Sequence, residues 1–173
     1  MGYNFSMKKA LKYIVLLCVC LFTLSSCGET KVNVITNEPF LLYPIEAAEF
    51  FSYFSKEGLK VSVDKVHSPQ MLIKFLNFST YNVVLTDKKT ADFITSKLSD
   101  WVKLCKIAQW RGDFYFLLIK DSLLKNQEVV VKFLKGWTAG VNYLKDPVVK
   151  KVLKEEKGIF FPKGVKFFSC KGW

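Results

Sequence analysis

The sequence predicts an α/β protein in which helices flank both faces of a single doubly wound, mostly parallel sheet. Three observations predict this. Short runs rich in β-branched residues alternate with segments of helical periodicity along most of the chain. The connections between them are short, as is typical of strand–helix–strand units. Half of the 173 residues are hydrophobic, so one packed domain is expected rather than a disordered chain.

The first half of this domain should alternate strictly between strand and helix. Ala47, Phe50, Phe51 and Phe54 fall at i, i+3, i+4 and i+7, which predicts one buried helix face. Pro44 suits the first turn of that helix, and residues 36–44 before it are expected to form a loop. The predicted strands are residues 31–35, 60–66 and 82–85, and the predicted helices are residues 45–57, 71–78 and 92–98.

In the second half, residues 101–109 and 113–119 are predicted as strands, with a turn at Arg111-Gly112. Two helices, residues 128–144 and 147–157, should follow. The sequence divides into a leader (1–26), a short linker (27–30), an α/β domain (31–158) and a C-terminal tail (159–173). Three alternatives stay open for the tail: a segment that covers the sheet, a contact with a partner, or foreign sequence.

The N-terminal segment has the pattern of a secreted protein. Lys8, Lys9 and Lys12 precede an apolar run, residues 13–24, which is shorter than the roughly 20 residues of a membrane-spanning helix. Leu24-Ser25-Ser26-Cys27 then resembles the lipobox of bacterial lipoproteins. The resemblance implies cleavage before Cys27 and diacylglyceryl attachment to its thiol. The protein would be lipid-anchored in the cell membrane or outer membrane, facing the periplasm or exterior. Two alternatives are an ordinary signal peptide with a chance cysteine and an N-terminal anchor helix.

Charge and side-chain chemistry exclude some functions. Residues 27–173 carry 23 basic and 15 acidic residues, a formal charge of +8. A basic surface suits an anionic ligand or an anionic membrane, although many lysines have the spacing of solvated helix faces. We expect no nucleic-acid partner for an exported protein. His67 is the single histidine, so a multi-histidine metal site is excluded, and no cofactor is predicted. Cys105 and Cys170 would either pair in an oxidising compartment or remain as thiols, with Cys105 buried in a strand.

Ligands of doubly wound sheets bind beyond the carboxyl ends of the strands, beside helix N-termini. In a parallel sheet the loops after the first three strands share one edge and form one candidate cleft. The predicted ligand-binding residues are Thr36, Asn37 and Glu38 after the first strand, His67, Ser68 and Gln70 after the second, and Thr86 and Asp87 after the third.

Each candidate has a structural alternative. The helix that begins near Ser68 offers backbone N–H groups to an anion, or Ser68 is simply its N-cap. Asp87 would bind a cation or an amine, or it would cap the helix that follows. Asn37 and Glu38 would touch a ligand or form a solvated loop. His67 would titrate near neutral pH or have a structural role.

The stretches KVNVIT, FSKEGLKVSV and SPQMLIKFLNFSTYNVVLTD resemble the first lobe of solute-binding proteins of ABC importers. The group that binds nitrate, sulfonates and thiamine precursors is the most similar in pattern. Glu57-Gly58-Leu59 matches its helix-ending turn, Ser68-Pro69-Gln70 its helix-opening turn, and residues 81–84 its third strand. The resemblance implies reversible capture of a small solute, for which an anion is one candidate class, and delivery to a membrane permease.

The sequence departs from that family in one respect. A second lobe would be inserted after the strand of residues 113–119, but Asp121-Ser122-Leu123-Leu124 leads directly to the next helix. The resemblance therefore implies one lobe of a periplasmic-binding-protein-like fold. No nucleophile elbow, phosphate-binding loop or dinucleotide fingerprint is present, so a binding protein rather than an enzyme is expected. The alternative function is a sensory or protein-interaction lipoprotein that retains one lobe.

Overall fold

A computed structural model describes residues 30–77, 80–159 and 161–170. The strands are β1 (Thr30–Thr36), β2 (Leu59–Lys65), β3 (Val83–Asp87), β4 (Trp101–Trp110), β5 (Asp113–Lys120) and β6 (Lys166–Phe167). The helices are α1 (Tyr43–Phe50), α2 (Tyr53–Lys56), α3 (Pro69–Leu76), α4 (Lys88–Lys97), α5 (Asp121–Leu124), α6 (Gln127–Tyr143) and α7 (Pro147–Lys157), and a 3-10 helix covers Pro39–Leu42. The predicted leader and Cys27 lie outside the described residues. None of the helices within the described ranges has the length and apolar character needed to cross a bilayer.

The sheet is mixed, and the prediction of a mostly parallel sheet is wrong in this respect. Its strand order is β2-β1-β3-β5-β4-β6, with β1 parallel to β2 and β3 and the other three pairs antiparallel. The reason is the two-residue connection between β4 and β5, which is too short for a crossover between parallel strands. Arg111 and Gly112 both have positive φ, 51° and 92°, as a tight hairpin turn of this kind requires.

Helices cover both faces of this sheet, which confirms the predicted α/β class and doubly wound arrangement. On one face, side chains such as Val34 and Leu117 pack with Phe133 and Trp137 of α6. The alternate strand residues, among them Ile35, Val84 and Leu118, point to the other face and pack against α3 and α4. Both sides of the central strands are therefore buried, as their nearly continuous apolar sequences indicate.

The predicted single helix of residues 45–57 is divided in two. It ends at Phe50, and the chain continues through Ser52 at φ 55° into the short α2. Residues 36–44 were expected to form a loop, but residues 39–44 of this segment are helical. Phe54 is fully buried and stacks on Phe133 at 5.8 Å between ring centroids, but Phe50 and Phe51 are only half-buried. The left-handed residue reorients the chain so that Phe54 reaches the core. A continuous helix would place Phe54 on the same face as Phe50 and Phe51.

Helix α6 approaches α1 and α2 unusually closely because two of its residues are glycine. A Cβ atom at Gly140 would overlap the backbone carbonyl of Pro44, and one at Gly136 would overlap the ring of Phe54. These glycines serve close packing rather than chain flexibility, since both lie inside a regular helix.

The C-terminal tail adds to the sheet and is cross-linked to it. Strand β6 pairs antiparallel with β4, and Phe168 N–H donates to the carbonyl of Ile107 at 2.8 Å. Cys170 forms a disulfide with Cys105 of β4, across a Cα–Cα distance of 5.9 Å. The tail therefore pairs with the edge of the sheet, and Cys105 and Cys170 are bonded to each other.

Candidate functional site

An open cleft of about 720 Å³ lies where β1, β3 and the β4–β5 hairpin meet. The β3–β5 register pairs Asp87 with Tyr115, so the start of β5 lies beside the carboxyl end of β3. The polar residues that line this cleft are Glu38, Asp87, Lys88, Lys89, Asp92, Asp113 and Tyr115, of which Asp92 is paired with Lys103. We refer to it as the acidic cleft, after the carboxylates of Glu38, Asp87 and Asp113.

Thr36 fixes the loop that carries Glu38. Its side chain is fully buried, and its hydroxyl donates to the carbonyl of Leu85 at 2.7 Å. The same oxygen accepts a hydrogen bond from the N–H of Glu38 at 3.0 Å. Thr36 therefore joins the end of β1 to β3 and turns the chain so that Glu38 lies at the cleft.

Thr86 and Asp87 perform the corresponding role at the end of β3. The Thr86 hydroxyl donates to Oδ1 of Asn37 at 2.7 Å, which links the two loops. The Asp87 carboxylate accepts from the N–H and the hydroxyl of Thr90, at 3.0 and 2.6 Å, and so caps α4. Capping and a role in the cleft were alternatives for Asp87. The structure shows the cap, and it also places the negative charge at the cleft wall.

The cleft is electrostatically negative. Burial raises the pKa of Glu38 above its ordinary value, and the charges of Asp87 and Asp113 raise it further. Burial and the charges of the same three carboxylates raise the pKa of Tyr115 to about 12, so its phenol stays protonated at neutral pH. Within the described chain, no salt bridge involves any of these three carboxylates. Lys88 and Lys89 contribute positive charge at the helix side of the cleft.

The predicted ligand-binding residues separate into two groups. Thr36, Asn37 and Glu38 come together with Thr86 and Asp87, as predicted for neighbouring parallel strands. Of the eight predicted residues, only Glu38 and Asp87 are among the described residues that line the acidic cleft. His67, Ser68 and Gln70 follow a different strand. Their strand, β2, is separated from β3 by β1. A role in ligand binding stays a prediction for all eight residues.

Ser68 has a clear structural function. It is the N-cap of α3, and its side chain accepts a hydrogen bond from the N–H of Met71 at 3.2 Å. Pro69 occupies the first turn, as the sequence predicted. The local pattern therefore identified the start of this helix correctly.

Asp113 and Tyr115 were not among the predicted site residues. Both belong to β5, whose antiparallel orientation brings its first residues to the same edge as the carboxyl ends of β1 and β3. The signal that pointed to them was the Arg111-Gly112 turn, because a tight hairpin reverses the second strand. The sequence did not show that β5, rather than β4, would pair with β3.

The cleft is suited to binding a positively charged organic group. Carboxylates supply the charge, and Tyr115 supplies an aromatic ring, which packs edge-on against Phe40 at 5.0 Å between centroids. No group of three or more histidine, cysteine, aspartate or glutamate side chains in the described ranges is arranged to hold a metal ion.

No protein-family model matches the sequence, and no curated protein matches it either. Among solved structures, the Candida albicans CA3427 gene product is similar over 82% of this chain and 82% of its own, with a TM-score of 0.64 and 10% sequence identity. That protein is described as defining a new family with the generic periplasmic binding protein structural fold. This chain has a periplasmic-binding-protein-like fold. At 10% sequence identity, the similarity between the two proteins concerns the fold alone.

A protein of Bordetella bronchiseptica RB50 is similar over 46% of this chain and 26% of its own, with 20% identity and a TM-score of 0.39, a value too low for any argument. Within the periplasmic-binding-protein-like fold of this chain, the acidic cleft lies at the sheet edge that holds the carboxyl ends of β1 and β3. That is the edge where ligands of doubly wound sheets bind.

Proposed function

We propose that this chain is an extracytoplasmic, lipid-anchored solute-binding protein that captures a small solute in the acidic cleft and passes it to an ABC importer. Binding would be reversible and non-covalent, without an enzymatic step. Its partners would be the solute, a membrane permease and the bilayer that holds the acylated Cys27.

The acidic cleft is the observation that carries this proposal. It lies at the ligand-binding edge of a doubly wound sheet, and its volume of about 720 Å³ is in the range of small-molecule sites. Hydrogen bonds from Thr36 to the carbonyl of Leu85 in β3 and from Thr86 to the side chain of Asn37 hold the segments that carry Glu38 and Asp87. A supported lining costs little to organise when a ligand binds, which favours affinity.

The sequence made an anion one candidate class of solute. The charge of the acidic cleft favours a different class. An anion would meet the carboxylates of Glu38, Asp87 and Asp113, and burial together with the charges of Asp87 and Asp113 already raises the pKa of Glu38. A solute with an amine or another cationic group would relieve that repulsion. We therefore propose a small organic cation, with its charge at the carboxylates and its apolar part beside Tyr115.

Thermal denaturation of the purified protein tests this proposal with matched probes. Spermidine and choline represent cations, and nitrate, sulfate and ethanesulfonate represent anions. A ligand at 100 times its Kd adds about 2.7 kcal/mol of stability, which raises Tm by roughly 5–10 °C for a domain of this size. We expect such a shift with at least one cation and with none of the anions.

Two variants locate the binding. Asp113→Asn removes one charge of the acidic cleft and should abolish most of the shift. Glu156→Gln removes one charge from the exposed face of α7, far along the chain from the cleft, and should leave the shift unchanged. If no cation or anion raises Tm, the solute-binding proposal fails, and the interaction lipoprotein becomes the better hypothesis. Equal shifts in the two variants would place the binding elsewhere.

The lipid anchor is proposed from Leu24-Ser25-Ser26-Cys27 and requires its own experiment. The intact mass of the membrane-extracted protein should lack residues 1–26 and include a diacylglyceryl group, and Cys27→Ser should remain unprocessed. An unmodified Cys27 thiol would contradict the anchor. Delivery to a permease rests on the sequence resemblance, and adjacent genes for a permease and an ATPase would support it.

A further inference from the structure

A second cavity, of about 410 Å³, lies between the end of α6 and the C-terminal segment, residues 161–168. We call it the C-terminal pocket. Its apolar lining includes Val141 of α6 and Leu144, which follows that helix, together with Phe161, Val165 and Phe167. The volume is sufficient for a small organic molecule, and the pocket shares none of its described lining residues with the acidic cleft.

The walls of this pocket are well fixed. Leu144 belongs to a small apolar cluster with Ala47, Leu153 and Ile159, which forms a firm base. On the opposite side, β6 pairs with β4, and Trp137 Nε1–H donates to the carbonyl of Phe168 at 2.8 Å. The disulfide of the tail follows two residues later. The cavity is therefore part of the folded structure and not a gap beneath a loose tail.

The rim of the pocket is positively charged. Lys145, Lys150 and Lys166 line it, and no acidic residue occurs among the described lining residues. All three lysines are exposed, and none of them forms a salt bridge in the described ranges. Lys145 Nζ donates to Oδ1 of Asn142 at 2.8 Å, which leaves its other two N–H donors available for a ligand.

We propose that the C-terminal pocket binds an organic anion with an apolar body, such as an aliphatic or aromatic carboxylate. The body would pack against the valine, leucine and phenylalanine side chains, and the carboxylate would accept hydrogen bonds from the lysines at the rim. This combination matches the usual form of small-molecule sites, in which an apolar lining carries a few polar groups that fix orientation. The ligand class is opposite in charge to the solute proposed for the acidic cleft, and the two sites share none of their described lining residues.

Isothermal titration calorimetry with three ligands of equal chain length tests the charge requirement. Decanoate, 1-decanol and decyltrimethylammonium present an anion, a neutral group and a cation on the same apolar body. We expect decanoate to bind about tenfold or more tightly than 1-decanol, the factor typical of a charge-assisted hydrogen bond, and decyltrimethylammonium to bind more weakly still. Equal affinities for decanoate and 1-decanol would overturn the proposal.

Two sets of variants locate the binding. The triple variant Lys145→Gln, Lys150→Gln and Lys166→Gln should lose the preference for decanoate over 1-decanol. A matched triple variant with the same change in net charge, Lys60→Gln, Lys74→Gln and Lys97→Gln, should keep it, since these exposed lysines lie elsewhere. If both triple variants bind decanoate equally well, the proposed rim is wrong.

Val165→Trp provides a steric test at a half-buried position of the tail. It should fill the pocket and weaken both decanoate and 1-decanol by about tenfold or more, with near-ultraviolet circular dichroism confirming the fold. Undiminished binding would overturn the proposal. Asp113→Asn should leave decanoate binding unchanged, so failure of the acidic cleft and failure of this pocket can be distinguished.

Discussion

The disulfide between Cys105 and Cys170 closes a loop with a sequence separation of 65 residues. Replacing both cysteines by serine removes this constraint from the unfolded chain. In the chain-entropy model, closing a loop of this length lowers the entropy of the unfolded state by about 14 cal/mol/K, or about 4 kcal/mol at 25 °C. Loss of a native disulfide typically costs 2–5 kcal/mol. We therefore expect the double serine variant to lose about 4 kcal/mol of the free energy of unfolding.

Equilibrium unfolding in urea, followed by far-ultraviolet circular dichroism, measures this loss. The oxidised protein, the reduced protein and the double serine variant should be compared in one experiment. The reduced protein and the variant should have the same lowered midpoint, and reductant should not affect the variant. Peptide mapping without reductant should recover Cys105 and Cys170 in one linked fragment. An unchanged midpoint on reduction, or separate thiol peptides, would refute the reasoning.

Three further predictions concern packing, electrostatics and capping. Gly140→Ala should destabilise the protein by at least about 1 kcal/mol in urea unfolding, because overlap with the rigid Pro44 carbonyl outweighs the gain in helix propensity. Glu38→Gln should raise the free energy of unfolding at pH 7 and have no effect below pH 4, because the raised pKa of Glu38 means that its ionisation destabilises the folded state. Ser68→Ala should cost about 1 kcal/mol through loss of the N-cap of α3, measured in the same way.

Each of these has a control or a contradicting outcome. Lys135→Ala, on the exposed side of α6, should change stability by less than about 0.5 kcal/mol, and a similar value for Gly140→Ala would contradict the close packing. In the wild type, the contribution of Glu38 to stability is greatest below the ordinary carboxyl pKa of 4.5 and is lost as pH rises through the raised pKa of Glu38. A gain that is equal at pH 4 and pH 7 would exclude ionisation as its cause. If Ser68→Ala kept the full stability of the wild type and Ser68→Asp did not, the role of Ser68 as the N-cap of α3 would be contradicted.

Local signals in the sequence were sufficient for most of the individual elements. The helix of residues 147–157 was predicted with its observed bounds, because Pro147 marks its start and Gly158 ends it in a left-handed conformation. Strand β1 extends only one residue beyond each end of its prediction. In these segments, caps and periodicity act within a few residues, so no knowledge of the tertiary structure was needed.

Features that depend on distant contacts were not predictable in the same way. The division at Ser52 became necessary only because Phe54 packs on Phe133, which lies far along the chain. Likewise, Asp113 reaches the acidic cleft because β5, and not β4, pairs with β3. The sequence pattern shows which residues will form strands, but strand order depends on the packing of all the strands together.

Strand β4 is ten residues long and has β5 on only one side along most of its length. An uncovered strand of this kind is a template onto which another molecule can add its own strand, the first step of aggregation. Three features oppose that here: β6 occupies the positions opposite Ala108 and Gln109, two register irregularities interrupt the ladder, and Lys103 and Lys106 add charge. By holding the tail against this strand, the disulfide protects the protein from pairing with copies of itself, a benefit separate from its effect on the unfolded chain.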